Sequence, residues 1–324
     1  MKKILISEWV PEECLKPYEG EFEFTVPSAE KHAFTYEEAY NMVEDYDGYF
    51  ILDNDGDQKI IDKAKNLKVI ANFGVGYDNI DWKYCTEKQI FVVNTLTTVT
   101  EPTAELAFAI MLAITKGIVM YDRELRVTRT CKPDMFLDRD IFLYGKTIGI
   151  IGYGRIGQAV GRKAQGVGMK VMYYDPFRKT PQEEERLGAT YGKFEEVLAK
   201  ADVISCHMPY TKENHHIFNL ETFKKMKPTA YFVNAARGPV MCEADLVTAL
   251  KEKVIRGAAT DVFEFEPGVS EELAKIENVV ITPHIGSNVL EARKNMVHEA
   301  LDGVDSILHG GCPVNVVNKD LFKK

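Results

Sequence analysis

Cysteine is sparse and scattered: Cys14, Cys85, Cys131, Cys206, Cys242 and Cys312 are the only six in 324 residues, and no two form a C-x-x-C pair. A zinc site announces itself in sequence by ligands clustered at short spacings. A disulfide framework needs a small, cysteine-dense chain. Neither pattern is present, so no metal site is expected, and free thiols in a reducing cytoplasm are. An excess of positive charge is also missing. The formal net charge is −9, which argues against general affinity for nucleic acid or an anionic membrane, although a local pocket can still receive an anionic substrate. No run of about 20 apolar residues occurs, so no membrane span is expected. The N-terminal stretch Ile4-Leu5-Ile6 is too short for a secretory signal and reads as a first strand.

What is present is alternation of short strands and helices in a chain long enough for about two domains. Hydrophobic residues make up 45% and charged residues 27%, as in an ordinary globular protein. Residues 4–7, 22–26, 49–52, 68–73 and 91–94 read as strands, with helices over 36–44 and 58–65. This is a β/α pattern with parallel pairing. Residues 101–126 form one long helical stretch, with Leu106, Ala109, Ile110, Ala113 and Ile114 at helical spacing and Pro102 near its start. Such a helix suits a connector between domains. Residues 130–144, with Pro133, read as loop. A second series follows: strands at 147–151, 171–174, 203–206, 230–234, 257–260 and 279–282, with helices such as 195–199, 220–226 and 243–251. At least six strands with crossovers suffice for a doubly wound sheet. The last helix, 289–308, has no strand after it and is expected to return to the first domain.

The second series opens on Gly152-Tyr153-Gly154-Arg155-Ile156-Gly157, a G-x-G-x-x-G turn between a strand and a helix. Gly152 permits a tight turn, Gly154 lets backbone approach a pyrophosphate, and Gly157 lets the helix pack on the strand. The helix N-terminus offers free N–H groups to the anion. The next strand ends in Asp175, 18 residues after Gly157. A carboxylate there accepts from both hydroxyls of an adenosine ribose and repels a 2'-phosphate, so NAD is expected over NADP. Arg178 and Lys179 follow closely and pull the other way. A phosphate loop of the Walker type is excluded, because no G-K-[ST] follows. A glycine turn without a ligand, and a methyltransferase nucleotide site, are the alternatives.

Three polar residues fall at the ends of late strands: Arg237 in Asn234-Ala235-Ala236-Arg237-Gly238, Glu266 in Asp261-Val262-Phe263-Glu264-Phe265-Glu266-Pro267, and His284 in Pro283-His284-Ile285-Gly286. Ligands of open α/β sheets bind at the carboxyl ends of the strands. Reducing a ketone needs a proton donor at the developing alkoxide, and histidine is matched to that near neutral pH. A carboxylate beside the imidazole favours its protonated form. A guanidinium can polarise the ketone and grip a carboxylate. Singly, each residue could equally be surface or loop; jointly, beside a dinucleotide turn, they point to hydride transfer.

These motifs, with Asn72-Phe73-Gly74-Val75-Gly76-Tyr77-Asp78-Asn79-Ile80-Asp81 upstream and Pro313-Val314-Asn315-Val316-Val317-Asn318 at the tail, resemble the D-isomer-specific 2-hydroxyacid dehydrogenases over nearly the whole chain. The resemblance implies an α/β protein in which a Rossmann dinucleotide-binding domain (100–287) is inserted into a flavodoxin-like α/β substrate domain (1–99 and 288–324). In that family the active site lies in the interdomain cleft. By resemblance His284 is the acid/base, Glu266 its partner and Arg237 the substrate anchor. Cofactor-binding residues would be Gly152, Gly154, Arg155, Ile156, Gly157, Asp175, Thr103, Pro209, Ala235, Ala236, Asp261 and Gly286, with Asp261 facing the nicotinamide carboxamide. Substrate-binding residues would be Leu52, Gly74, Val75, Gly76, Arg237 and Arg293. A homodimer through the Rossmann domain is implied, with the long helix and following loop at the interface. No regulatory domain is expected beyond Lys324.

Within the family the sequence is most similar to the glyoxylate/hydroxypyruvate reductase branch, on Ala71-Asn72, Tyr77-Asp78-Asn79, Pro133 and Phe136-Leu137. It departs from that branch at Asp175, in the acidic segment Asp53 to Asp57, and at Asp138. D-lactate and branched-chain 2-hydroxy acids stay open as substrates. So does a non-enzymatic NAD-sensing role, since corepressors resembling this family keep the trio.

Overall fold

The computed structural model describes every residue except 53, 133–135, 137 and 324. Asp53, Pro133 and Leu137, named above, therefore lie outside the described residues. The chain divides into two compact units, Met1–Val99 with Ser287–Lys324, and Thr100–Gly286.

The first unit is built on five parallel strands, β1 (Lys2–Ile6), β2 (Phe22–Thr25), β3 (Gly48–Ile51), β4 (Val69–Asn72) and β5 (Phe91–Asn94), in the order β2-β1-β3-β4-β5. This is the flavodoxin-like order. A parallel sheet covered on both faces reads as continuous apolar runs. That is why Tyr49-Phe50-Ile51 and Val69-Ile70-Ala71 lack alternation and are buried throughout. On one face Ile4, Phe50, Val69 and Val93 pack with Leu301 and Val304 of the helix Leu290–Leu308. On the other, Leu5, Tyr49, Ile51 and Ile70 pack with Ile60, Ile61 and Cys85. The C-terminal segment is stitched to β5: Asn318 Oδ1 accepts from Val92 N at 2.9 Å, and Asn315 Nδ2 donates to Asn94 O at 2.8 Å.

The second unit holds seven parallel strands, β6 (Thr147–Ile151), β7 (Lys170–Tyr174), β8 (Ala189–Tyr191), β9 (Val203–Cys206), β10 (Tyr231–Asn234), β11 (Gly257–Thr260) and β12 (Val279–Ile281), ordered β12-β11-β10-β9-β6-β7-β8. The chain runs outward one way through β7 and β8, then returns to β9 and runs the other way. The reversal lies between β6 and β9, and a crevice at the carboxyl ends of these strands is where an open sheet binds ligands. The helices Thr100–Thr115 and Arg155–Gly166 cover one face through Ala107, Ile110, Met111, Ala159 and Val160. Phe218, Phe223, Phe232 and Leu246 fill the other.

Three expectations need correction. The single helix over 101–126 is two helices, Thr100–Thr115 and Ile118–Thr128, bent by 56° at the break. Gly117 causes it, with φ at +61°, a left-handed conformation that ends a helix readily and that only glycine adopts without steric cost. β8 was not anticipated; three residues at a sheet edge are too few to show a period. The helix from Tyr36 ends as α-helix at Met42 and continues as a 3₁₀ turn over Val43–Asp45. Other boundaries agree to within two residues. Among the described residues no single helix is long and apolar enough to cross a membrane.

Candidate active site

The glycine turn follows β6, and each glycine answers a different demand. Gly152 has φ +91°, and a Cβ there would stand 2.6 Å from Met208 N, in the segment leaving β9. At Gly157 a Cβ would collide with the carbonyl of Gly152. Both are dictated by the protein's own backbone. Gly154 is not: its φ is −75°, and a Cβ would meet nothing within 4 Å. The protein leaves open the space over Gly154, at the N-cap of a 12-residue helix with no side-chain cap. Uncapped N–H groups beside an empty, exposed glycine are what a dinucleotide pyrophosphate requires. The residues therefore fit the cofactor that the sequence implies.

Asp175 follows β7 and reaches back to this turn. Its Oδ2 accepts from Tyr153 N at 2.8 Å and its Oδ1 from Phe177 N at 2.8 Å. Two backbone amides thus fix the direction of the carboxylate. Arg178 is turned elsewhere. Its Nε and Nη2 donate to the two oxygens of Glu184 at 2.9 and 3.1 Å, and its guanidinium lies over the Tyr191 ring, 4.8 Å from the centroid.

Arg237, Glu266 and His284 follow β10, β11 and β12, three adjacent strands. His284 Nδ1 lies 2.8 Å from Glu266 Oε2, and Glu266 Oε1 accepts from Phe263 N at 2.8 Å. The imidazole is about half exposed and sits at φ +50°. Its backbone is held in that conformation: His284 N donates to Asp261 O at 2.8 Å. Burial alone would raise the Glu266 carboxyl. Hydrogen bonds from His284 and Phe263, with the charges of His284 and Arg237, outweigh it and hold the carboxyl below its ordinary value. The ionised form of Glu266 is therefore the one favoured beside the imidazole. The turn carrying Arg237 is shaped by buried Asn234, whose Oδ1 accepts from Ala236 N and whose Nδ2 donates to Arg237 O, both at 3.1 Å. Arg237 Nη1 donates to Ala236 O at 2.8 Å. Gly238 allows this turn to lie directly on the Glu266 loop, because any Cβ there would overlap the Phe263 carbonyl.

Asp261 organises the histidine loop. Thr282 Oγ1 donates to its Oδ1 at 2.6 Å, Ile285 N to the same oxygen at 2.9 Å, and Gly286 N to Oδ2 at 2.9 Å. Burial nevertheless keeps its carboxyl above the ordinary range. Gly286 admits Thr103 to this corner: a Cβ would lie 3.3 Å from Thr103 Cγ2 and 3.4 Å from Asp261 Oδ2. Thr103, Asp261 and Gly286 are thus brought together. Ala235 and Ala236 lie beyond β10. Arg155 and Ile156 open the helix after the turn, and exposed Pro209 follows Met208, which packs on Gly152. Thr282, Asn234 and the Phe263 amide escaped the sequence reading. The signal for Thr282 was present, one residue before Pro283, but its target is a side chain far away in sequence.

In the first unit, the turn Gly74-Val75-Gly76 follows β4. Asn72 Nδ2 donates to the carbonyls of Gly74 and Gly76, Thr95 N to Gly74 O, and Asn94 Nδ2 to Val75 O at 2.7 Å. In a trans peptide the C=O and the following N–H point opposite ways. Capturing the Gly74 and Val75 carbonyls inside turns the N–H groups of Val75 and Gly76 outward, an anion-binding arrangement. The Arg293 guanidinium lies 5.4 Å from the centroid of Phe73, the residue before Gly74. Leu52 offers its carbonyl to Asn79 Nδ2 at 3.2 Å. The departures from the reductase branch have structural uses. Asp57 caps the helix Gln58–Lys63 through Ile60 N and accepts from Tyr36 Oη, and Asp138 forms a two-point pair with Arg256 at 2.8 and 3.0 Å.

Comparison with known proteins gives the family. Residues 108–286 match the family model described as D-isomer specific 2-hydroxyacid dehydrogenase, NAD binding domain. The chain is 41% identical to the glyoxylate reductase of Pyrococcus furiosus, over 99% of this chain and 96% of that one. Among solved structures, an NADPH-dependent glyoxylate/hydroxypyruvate reductase from Sinorhizobium meliloti superposes with a TM-score of 0.85 at 26% identity, covering 98% of each chain. The D-lactate dehydrogenase of Aquifex aeolicus, solved with NAD and lactic acid, gives 0.80 at 28% identity, covering 95% of this chain and 96% of that one. With a family model spanning more than half its length and a full-length relative at this identity, the chain belongs to the D-isomer specific 2-hydroxyacid dehydrogenase family.

Proposed function

We propose that this chain is an NADH-dependent reductase of a small 2-keto acid, glyoxylate or hydroxypyruvate, with His284 as its acid/base. The observation that carries the reading is the 2.8 Å contact between His284 Nδ1 and Glu266 Oε2. It occupies one ring nitrogen and leaves Nε2 to face a substrate oxygen. When bound, the nicotinamide supplies the hydride to the keto carbon. His284 Nε2 gives its proton to the oxygen that becomes the hydroxyl, and recovers one from solvent. Glu266 orients the ring and stabilises its charged form. Arg237 polarises the keto group and grips the carboxylate. Gly74, Val75 and Gly76 bind the substrate carboxylate through backbone N–H groups. Leu52 and Arg293 shape the remainder of the substrate site.

NADH over NADPH is supported by Asp175, whose carboxylate is aimed by two backbone amides, and by Arg178, which is committed to Glu184 and Tyr191. Asp261 and Thr103, brought together at Gly286, would meet the carboxamide end of the cofactor. A homodimer is supported by exposed apolar side chains gathered along residues 118–144: Ile118, Leu125, Val127, Phe142 and Tyr144. The six unpaired cysteines suit the cytoplasm.

The test is a steady-state assay of NADH and NADPH oxidation with glyoxylate, hydroxypyruvate, pyruvate, phenylpyruvate and 2-ketoisocaproate. The expected result is NADH oxidation fastest with glyoxylate or hydroxypyruvate. Preference for a bulky keto acid would overturn the substrate reading. Binding of NADH without turnover of any keto acid would overturn the enzymatic one.

A further inference from the structure

Outside the trio, the second unit gathers His216, Cys242 and Glu264. The candidate ligand atoms, one imidazole nitrogen, the Cys242 sulfur and one Glu264 oxygen, all lie within 4.8 Å of one another. His216 follows the 3₁₀ turn Lys212–Asn214, Cys242 precedes the helix Glu243–Lys251, and Glu264 stands beyond β11. His216 Nε2 is 2.7 Å from Glu264 Oε1, and Glu264 Oε2 accepts from Glu243 N at 2.8 Å. The Glu264 side chain is only 10% exposed, whereas His216 is about one-third exposed. The cluster is therefore partly buried and held by hydrogen bonds, not a tuft of solvated side chains. Its geometry is pinned from behind. The His216 ring stacks on His215 at 3.7 Å, and His216 N donates to Pro239 O. Buried Glu243 accepts from Glu264 N and Ser270 N.

One imidazole nitrogen, one thiol and one carboxylate, all on partly buried residues, are a borderline-soft donor set. Thiolate and imidazole favour zinc-class ions over magnesium or calcium, which take oxygen ligands. Three protein ligands with solvent on one side leave room for water as the fourth. Metal–ligand bonds of about 2.0–2.3 Å require the widest pair to draw in by roughly 1 Å, a movement within reach of the Cys242 side chain. We propose that His216, Cys242 and Glu264 form a binding site for a zinc-class divalent cation, separate from the hydride-transfer residues. On binding, the thiol proton leaves for solvent and the sulfur, the His216 nitrogen and a Glu264 oxygen each donate a lone pair to the ion. Glu264 lies two residues before Glu266 in the same loop, so the ion would brace the loop that carries the histidine's partner.

Cobalt is the probe, because Co²⁺ reports thiolate ligation by a near-ultraviolet charge-transfer band and tetrahedral geometry by its visible absorption. The full chain is titrated with Co²⁺, then back-titrated with Zn²⁺, in wild-type and Cys242→Ser forms, with His216→Asn as a second variant. The expected result is a thiolate band that saturates at one Co²⁺ per chain, is bleached by Zn²⁺, and is absent from Cys242→Ser. Zn²⁺ should raise the melting temperature of the wild type and leave that of Cys242→Ser in place. Affinity should fall at least about tenfold in either variant. Circular dichroism of the metal-free forms shows whether each variant is folded; if His216→Asn is not, Cys242→Ser decides alone. No thiolate band, or a band that persists in Cys242→Ser through exposed Cys131 or Cys312, would overturn the proposal.

Discussion

Glu266 joins His284 through Oε2 while its Oε1 is fixed by the Phe263 amide, each at 2.8 Å, so one carboxylate both grips the imidazole and anchors its own loop. A carboxylate held at both oxygens does not swing. The direction of the His284 ring is thereby set by the protein itself, the geometric condition that the proposed proton-donor role requires.

Replacing His284 by Ala should lower kcat roughly a hundred- to ten-thousand-fold while leaving NADH affinity within about twofold. Glu266→Gln should keep the fold and also lose turnover, because an amide can still hold the Phe263 N–H but cannot stabilise the charged ring. Steady-state kinetics with NADH fluorescence titration separates the two effects. Parallel loss of NADH binding in His284→Ala would refute the proton-donor role.

The two kinds of glycine in the dinucleotide turn should part company. Gly154→Ala adds a methyl to open space, so its melting temperature should stay near the wild-type value while NADH affinity drops. Gly157→Ala drives the same methyl into the Gly152 carbonyl and should lower stability by about 1–3 kcal/mol. Thermal unfolding beside NADH titration checks both. Equal stability loss in the two variants would mean the space over Gly154 is not reserved for a ligand.

Asn94→Ala removes the donor that holds the Val75 carbonyl. With that carbonyl released, the outward N–H of Gly76 loses its fixed aim. The expected result is a higher KM for the keto acid with NADH affinity unchanged. A fall in kcat at constant KM would place Asn94 elsewhere in the reaction.

His207 should govern part of the acid sensitivity. Its Nε2 shares a hydrogen with Ser205 Oγ at 2.8 Å, and its shielded Nδ1 has no partner. Burial lowers its pKa from 6.5 to about 4. A histidine whose folded pKa is depressed favours the unfolded state once protons can bind there. Stability is thus full above the unfolded pKa and is lost as pH falls from about 6.5 towards 4, by up to about 3 kcal/mol. Denaturant unfolding across that range should show this slope in the wild type and a flatter one in His207→Asn. Identical slopes would remove His207 from the account.

Much of this was legible in the sequence because it is written locally. The glycine turn is a short-range steric pattern, and the buried strands are uninterrupted apolar runs such as Ile148 to Ile151. The turns after β10, β11 and β12 announced Arg237, Glu266 and His284 by position alone. The illegible parts are those in which distant residues meet. Nothing near Gly74 shows that Asn94 reaches back to Val75. No spacing rule joins His216, Cys242 and Glu264: the segments after β10 and β11 bring Cys242 and Glu264 together, His216 is tied to the first of those segments through Pro239 O, and a search for ligands at short spacing passes over all three. Gly117 stands inside an apolar helical pattern, where an isolated glycine is tolerated at a cost of about 1 kcal/mol, and only its φ of +61° marks the break.

The clasp of Arg178 by Glu184 has an evolutionary meaning. Removing Asp175 alone would relieve repulsion of a 2'-phosphate yet leave the neighbouring cation spoken for. Removing Glu184 alone would free Arg178 beside a carboxylate that still repels the same group. The two substitutions are therefore expected to be epistatic: Asp175→Ala alone should shift preference towards NADPH, and adding Glu184→Gln should shift it further by freeing Arg178. NADH/NADPH ratios of kcat/KM for Asp175→Ala, Glu184→Gln and the double variant should show a gain in the double that exceeds the product of the singles. A change of coenzyme by this route would therefore come in two steps, the carboxylate first and the release of Arg178 second.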